Sequence, residues 1–219
     1  MLSALKRLPL AAKLVLALGA VAGLASLYVT AQAGRNTQAA ASCAASPHLA
    51  ARIGEAARGE VAAFQAMRQP RALPALAFKD ASGAASGLSQ LGGKTILLNL
   101  WATWCAPCRK EMPALDALQA EFGGPDFEVV AVNIDTRNLE RPRQWLVENG
   151  ITRLAYYADP EAKVFQELKR VGQAIGMPTT LLIDAKGCQL GVLHGPAEWH
   201  SDDARKLIRT ALGRQTSTD

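Results

Sequence analysis

Apolar positions along this chain follow two rhythms, one that predicts buried strands and one that predicts helices. Thr95 to Trp101 and Phe127 to Ile134 are short, nearly unbroken apolar runs, the pattern of strands covered on both faces. Between them Cys108, Met112, Leu115, Leu118 and Phe122 recur at intervals of three and four, predicting a helix over 106–122 that Gly123-Gly124 terminates. Together they make a βαβ unit, whose crossover should be right-handed. Further on, helices are expected over 139–148, 161–171 and 201–212, and a strand over 154–157. A hairpin should join 179–183 to 189–194 around Asp184-Ala-Lys-Gly187. Upstream, Leu49, Ile53, Ala56, Phe64 and Met67 predict an amphipathic helix from Pro47 to about Met67, with Ser46 as its cap, before a short strand and turn over 71–80. Strands alternating with helices imply an α/β fold with a central sheet flanked by helices.

The first 34 residues follow neither rhythm. Leu14 to Gly34 carries no charge, and about 20 apolar residues suffice to cross a bilayer as a helix. Lys6, Arg7 and Lys13 precede the run and Arg35 follows it, so the positive-inside bias keeps the N-terminus cytoplasmic and places the rest across the membrane. We therefore expect residues 1–34 to form a cytoplasmic tip and inner-membrane anchor with a periplasmic body. Ala31-Gln32-Ala33 leaves a cleaved signal peptide, and hence a soluble periplasmic protein, as the alternative. Residues 35–46 are small and polar, a linker, and 47–219 form the domain proper. The 219-residue chain has a formal net charge of +5, but its first 35 residues hold four cations and no acid. The body is thus nearly neutral, which argues against a nucleic-acid partner.

Chemistry concentrates in four cysteines. Cys105-Ala-Pro-Cys108 stands where a buried strand gives way to a helix. There, unpaired N–H groups and the helix dipole favour a thiolate, and one helical turn brings the second sulfur within bonding reach. A C-x-x-C beside a βαβ unit is a thioredoxin-like redox signal. Zinc would want a second pair nearby, whereas Cys43, Cys188, His48, His194 and His200 are scattered. In an oxidising compartment two unpaired thiols are a liability, so Cys43 and Cys188 are expected to bond and clip the N-terminal segment to the sheet.

The segment Trp101-Ala-Thr-Trp-Cys-Ala-Pro-Cys-Arg-Lys-Glu-Met-Pro113, with Gly176-Met-Pro-Thr179, resembles the TlpA/ResA family of membrane-anchored thioredoxin-like proteins. That resemblance implies a thioredoxin-like fold with a central insertion over about 153–172, no cofactor, and a periplasmic thiol-disulfide oxidoreductase acting chiefly as a reductant in cytochrome oxidase or cytochrome c maturation. It implies that Cys105 attacks, Cys108 resolves, Pro178 is a cis proline facing Cys105, and Met177 and Trp104 meet the substrate backbone. The same resemblance favours the Cys43–Cys188 pair. Glu111, on the helical face of Cys108, becomes a candidate proton acceptor, with a solvated helix charge as the alternative. Asn99 stands where cytoplasmic thioredoxins carry a buried aspartate, which shifts weight to Glu111 or water. Partners implied are cysteine-containing periplasmic proteins, including copper-centre or haem-assembly factors, and a membrane electron donor. A competing expectation is a copper-binding assembly chaperone using the cysteines with His194. Arg137, Arg141 and Arg143 read as a solvated loop or as a docking patch for an acidic partner.

Overall fold

In the computed structural model, residue 43 and residues 47–214 are described, so the anchor and most of the linker expected over 1–46 lie outside them. Among the described residues no helix is long and apolar enough to cross a membrane.

The two apolar runs form the centre of the sheet. β4 (Thr95–Trp101) and β5 (Phe127–Asn133) are buried at every position and pair in parallel from Thr95–Phe127 to Trp101–Asn133. Around them lie β1 (Gln65–Ala72), β2 (Ala77–Lys79), β3 (Ala85–Gly87), β6 (Tyr157–Ala158), β7 (Thr179–Ile183) and β8 (Cys188–His194), in the order β1-β8-β7-β4-β5-β6-β2-β3. β5 and β6 are parallel, whereas β7 runs antiparallel to both β4 and β8. Among residues 47–214 five α-helices flank the sheet: α1 (Pro47–Ala56), α2 (Ala106–Phe122), α3 (Arg141–Glu148), α4 (Lys163–Arg170) and α5 (Asp202–Ala211). This is a thioredoxin-like arrangement, and it carries α2 from the C-terminal end of β4.

The expected boundaries hold for β4, α2 and β7, and within a residue for β5 and β8. At the start of α5, Ser201 is the cap, its hydroxyl accepting from the Ala204 N–H at 3.2 Å.

Two expectations are corrected. The N-terminal helix stops at Ala56 instead of Met67. Gly59 adopts φ +51°, and a Cβ there would lie 1.9 Å from the Asp203 carboxylate, so the chain turns before Phe64 enters the core and residues 65–72 pair with β8. The strand expected over 154–157 shrinks to Tyr157–Ala158. The Arg153 and Leu154 N–H groups donate to Asp116 at 2.7 and 3.0 Å, so a helix side chain takes donors that a ladder would have used.

Phe64 packs so closely over β8 that an ideal Cβ on Gly191 would meet its ring at 2.3 Å and the Gln65 carbonyl at 2.7 Å. Gly191→Ala is therefore expected to destabilise the fold by about 1–3 kcal/mol through overpacking. A denaturant midpoint equal to the parent's would show that β1 yields freely.

Candidate active site

Strand β4 delivers the chain to a turn in which the Cys105 N–H bonds the Ala102 carbonyl, and α2 begins directly after it. Cys105 is the helix N-cap. Its sulfur accepts from the Cys108 N–H at 3.3 Å, and Pro107 occupies the first turn, where a missing N–H is harmless. Cys105 and Cys108 are joined in a disulfide, with Cα atoms 5.3 Å apart. Cys105 is 5% exposed and Cys108 is fully buried, so an incoming sulfur would meet Cys105 first. Beside them Trp104 is 65% exposed, an apolar surface next to the reactive bond.

Asp135 latches the turn from below. This buried residue lies just past the end of β5. Its carboxylate accepts from the Thr103 N–H and hydroxyl, both at 2.8 Å, and from the Asn133 amide at 2.7 Å. Sequence reasoning missed this latch. The available signal was a lone acid closing an apolar strand, where burial demands a dedicated set of donors.

Glu111 does not behave as a solvated charge, since it is 3% exposed. One carboxyl oxygen accepts from Asn99 Nδ2 at 2.7 Å. The other accepts from the Ala197 N–H at 3.2 Å and Trp199 Nε1 at 3.1 Å. Burial pushes its pKa up to about 7, outweighing the three donors that favour the anion. Asn99 also donates to Thr180 Oγ1 at 2.9 Å, while its own Oδ1 has no hydrogen-bond partner among the described residues. An amide at this position supports the neighbouring carboxylate without adding a second buried charge. A buried aspartate would have added one. Trp199 and Thr180 were not recognised as parts of this network, because residues so distant in sequence meet only through the fold.

The Met177–Pro178 peptide is cis, Met177 is half-buried, and the Pro178 carbonyl accepts from the Gly195 N–H. Ile175, 75% exposed, precedes this segment.

Cys43 and Cys188 form the second disulfide, fully removed from solvent, with Cα atoms 5.5 Å apart. Arg141 is paired with Glu148 at 2.9 Å, and Arg143 lies 3.9 Å over the Tyr156 ring and donates to the Ala81 carbonyl. His194 sits across the ladder from Thr179, with its Nδ1 buried and unpartnered among the described residues. Among those residues no three His, Cys, Asp or Glu side chains group closely enough to hold a metal ion.

A model of the AhpC/TSA family matches residues 70–188. Thioredoxin-like protein YneN of Bacillus subtilis is 35% identical over 117 residues, covering 52% of this chain and 64% of that protein. Thiol-disulfide oxidoreductase ResA of Oceanobacillus iheyensis is 39% identical over 100 residues, covering 46% and 49% respectively. The chain thus spans between about half and just under two thirds of these relatives. A crystal structure named for the thiol:disulfide interchange protein DsbE of Chlorobium tepidum aligns with a TM-score of 0.56 at 30% identity, over 65% of this chain and 96% of that one.

Proposed function

This chain belongs to the AhpC/TSA family, among its TlpA/ResA-like thioredoxin members, and from that premise we propose that it is a thiol-disulfide oxidoreductase reducing disulfides in partner proteins. The observation that carries this reading is the Cys105–Cys108 disulfide at the N-terminus of α2, with a buried carboxyl one turn beyond it.

The steps follow from exposure and charge. In the reduced protein the Cys105 thiolate, stabilised by the helix N-terminus, attacks a partner disulfide and expels one partner thiolate, leaving a mixed disulfide. Glu111 takes the proton of the Cys108 thiol. The Cys108 thiolate then attacks the Cys105 sulfur, re-forming the internal disulfide and releasing the second partner sulfur as a thiolate. Two electrons pass from the dithiol to the partner, and a membrane donor restores them. Met177 offers its backbone and Trp104 an apolar surface to an extended partner segment. Pro178 closes the site beside them.

The finer setting belongs to the same proposal. The uncharged run over 14–34 anchors the chain in the inner membrane with the domain in the periplasm. The buried Cys43–Cys188 bond suits an oxidising compartment. There the protein serves cytochrome oxidase or cytochrome c maturation, acting on cysteine-containing assembly factors. The copper-chaperone reading lacks a comparable observation. It would gain one if Cu(I) bound stoichiometrically to the reduced protein and the binding required His194.

The general test is reduction of a protein disulfide such as insulin by the dithiol form, together with its equilibrium potential against glutathione. A potential above that of the periplasmic partners, or absence of turnover, would overturn the reductant assignment.

Glu111 supplies a pH signature. With its pKa near 7, the resolving step is expected to quicken as pH rises through that value, because only the carboxylate accepts a proton. Glu111→Gln should slow resolution by about 10²-fold or more and flatten the profile in stopped-flow measurements. The stability effect has the opposite sense. A carboxyl raised from 4.5 to about 7 on folding contributes stability that is full below pH 4.5 and is lost as pH rises through 7. The glutamine variant should therefore lose less stability across that interval.

A further inference from the structure

Glu111 must release the proton it takes from Cys108 before another cycle begins. The dithiol face offers no path while a partner is bound, since Cys105 is nearly closed off and Cys108 fully so even in the free protein. A second opening exists. A pocket of about 240 Å³ is walled by Glu60, Lys110, Glu111, Pro196, Ala197 and Glu198, and neither active-site cysteine contributes to it. At roughly 30 Å³ per water molecule it accommodates several.

We propose that this pocket is a back-door proton port through which Glu111 exchanges its proton with bulk water while a partner covers Cys105, a proposal that rests on the thiol-disulfide reading above. Its walls are suited to the task. The Glu111 oxygen that accepts from Ala197 and Trp199 is held by the same segment whose Pro196, Ala197 and Glu198 form one side of the pocket. Lys110 follows from the adjacent position on α2. Glu60 stands on the short turn between α1 and β1, its N–H fixed by Asp203 at 3.2 Å. The lining is predominantly polar and ionisable, which favours an ordered water chain over a dry cavity. The groups bonded to the Glu111 carboxyl are Asn99 on β4 and, beyond β8, the Ala197 N–H and Trp199, and Cys108 lies three positions earlier on the same helix. In the reduced protein Cys108 is the proton's source. Lys110, Glu60 and Glu198 are the charged groups on the port side.

The port balances the resolving step. The proton leaves Cys108 Sγ for a Glu111 oxygen, then passes from that oxygen to water in the pocket. The electron pair left on Cys108 forms the bond to Cys105. The departing partner thiolate draws its proton from bulk.

Two substitutions plug the pocket without removing a donor to Glu111: Ala197→Leu, which keeps its backbone N–H, and Glu198→Leu at the wall. The readout is the infrared carbonyl band of protonated Glu111 in the oxidised protein after a pH jump, assigned by its loss in Glu111→Gln. Plugging is expected to slow the rise of this band by about tenfold or more, and to slow single-turnover release of a trapped partner in parallel. Formation of the mixed disulfide should be unchanged. Band kinetics equal to the parent's in both variants would overturn the port. If instead Glu111→Gln resolves its mixed disulfide at the parental rate, the proton-acceptor role of Glu111 fails, whatever the band kinetics show.

Discussion

Cys105→Ser is expected to abolish reduction of protein disulfides, whereas Cys108→Ser is expected to accumulate partner proteins covalently bound through Cys105. The asymmetry follows from position. Cys105 caps α2, where its charge meets unpaired N–H groups, and it is the less buried of the two cysteines. Cys108 is buried one turn further along, so its attack can be directed only at a sulfur already bonded to Cys105. Removing the nucleophile leaves nothing to capture a partner. Removing the resolving sulfur leaves capture intact and stalls release, which then depends on an external thiol. The measurement is non-reducing electrophoresis of cell-envelope proteins incubated with each variant, followed by identification of the adducts. Adducts on Cys105→Ser in comparable yield would reverse the roles of the two sulfurs. Adducts on neither would remove the reductase reading. The identity of the captured proteins also tests the maturation setting, since assembly factors bearing a cysteine pair are the expected catch.

How much of this was legible in the sequence depends on the range over which each feature is determined. β4 and α2 were read to their ends because their signals are local: an apolar run, a repeat of three and four, a proline in the first turn and a glycine pair as a stop. The same locality placed Cys105 and Cys108. Periodicity failed between Ala56 and Gln65, where Phe64 and Met67 happen to fall at helical spacing. There the outcome is decided by Asp203 against Gly59 and by pairing with β8, contacts made more than 100 positions away. Glu111 shows the intermediate case. Its helical face was evident, but its burial was not, because the donors that make a buried carboxyl tolerable come from Asn99, Ala197 and Trp199. Its raised pKa is consequently a property of the assembled fold. Asp135 and Thr103 are similar: neither draws notice alone, and together they fix the turn that presents Cys105.

The other disulfide should dominate stability. Cys43 and Cys188 are 145 positions apart, so their bond closes a loop containing α1 and all the strands through β7. In the chain-entropy model a loop of that size restricts the unfolded ensemble by about 5 kcal/mol, against about 2 kcal/mol for a loop as short as that of Cys105 and Cys108. Total stabilities of domains lie near 5–15 kcal/mol, so the larger effect is a sizeable fraction of the whole. Cys43→Ala combined with Cys188→Ala is therefore expected to lower unfolding free energy by about 5 kcal/mol. Both positions must change together, because a lone Cys188 would leave a buried thiol at the start of β8 free to exchange once the chain opens. Selective reduction of the Cys105–Cys108 pair provides the internal comparison: it should cost far less, since little of the chain is enclosed. Equilibrium denaturation of the parent, the double variant and the selectively reduced parent separates the two. A double variant within about 1 kcal/mol of the parent would mean that the unfolded chain is already restrained without the bond, and that the link owes its place to holding residue 43 against β8.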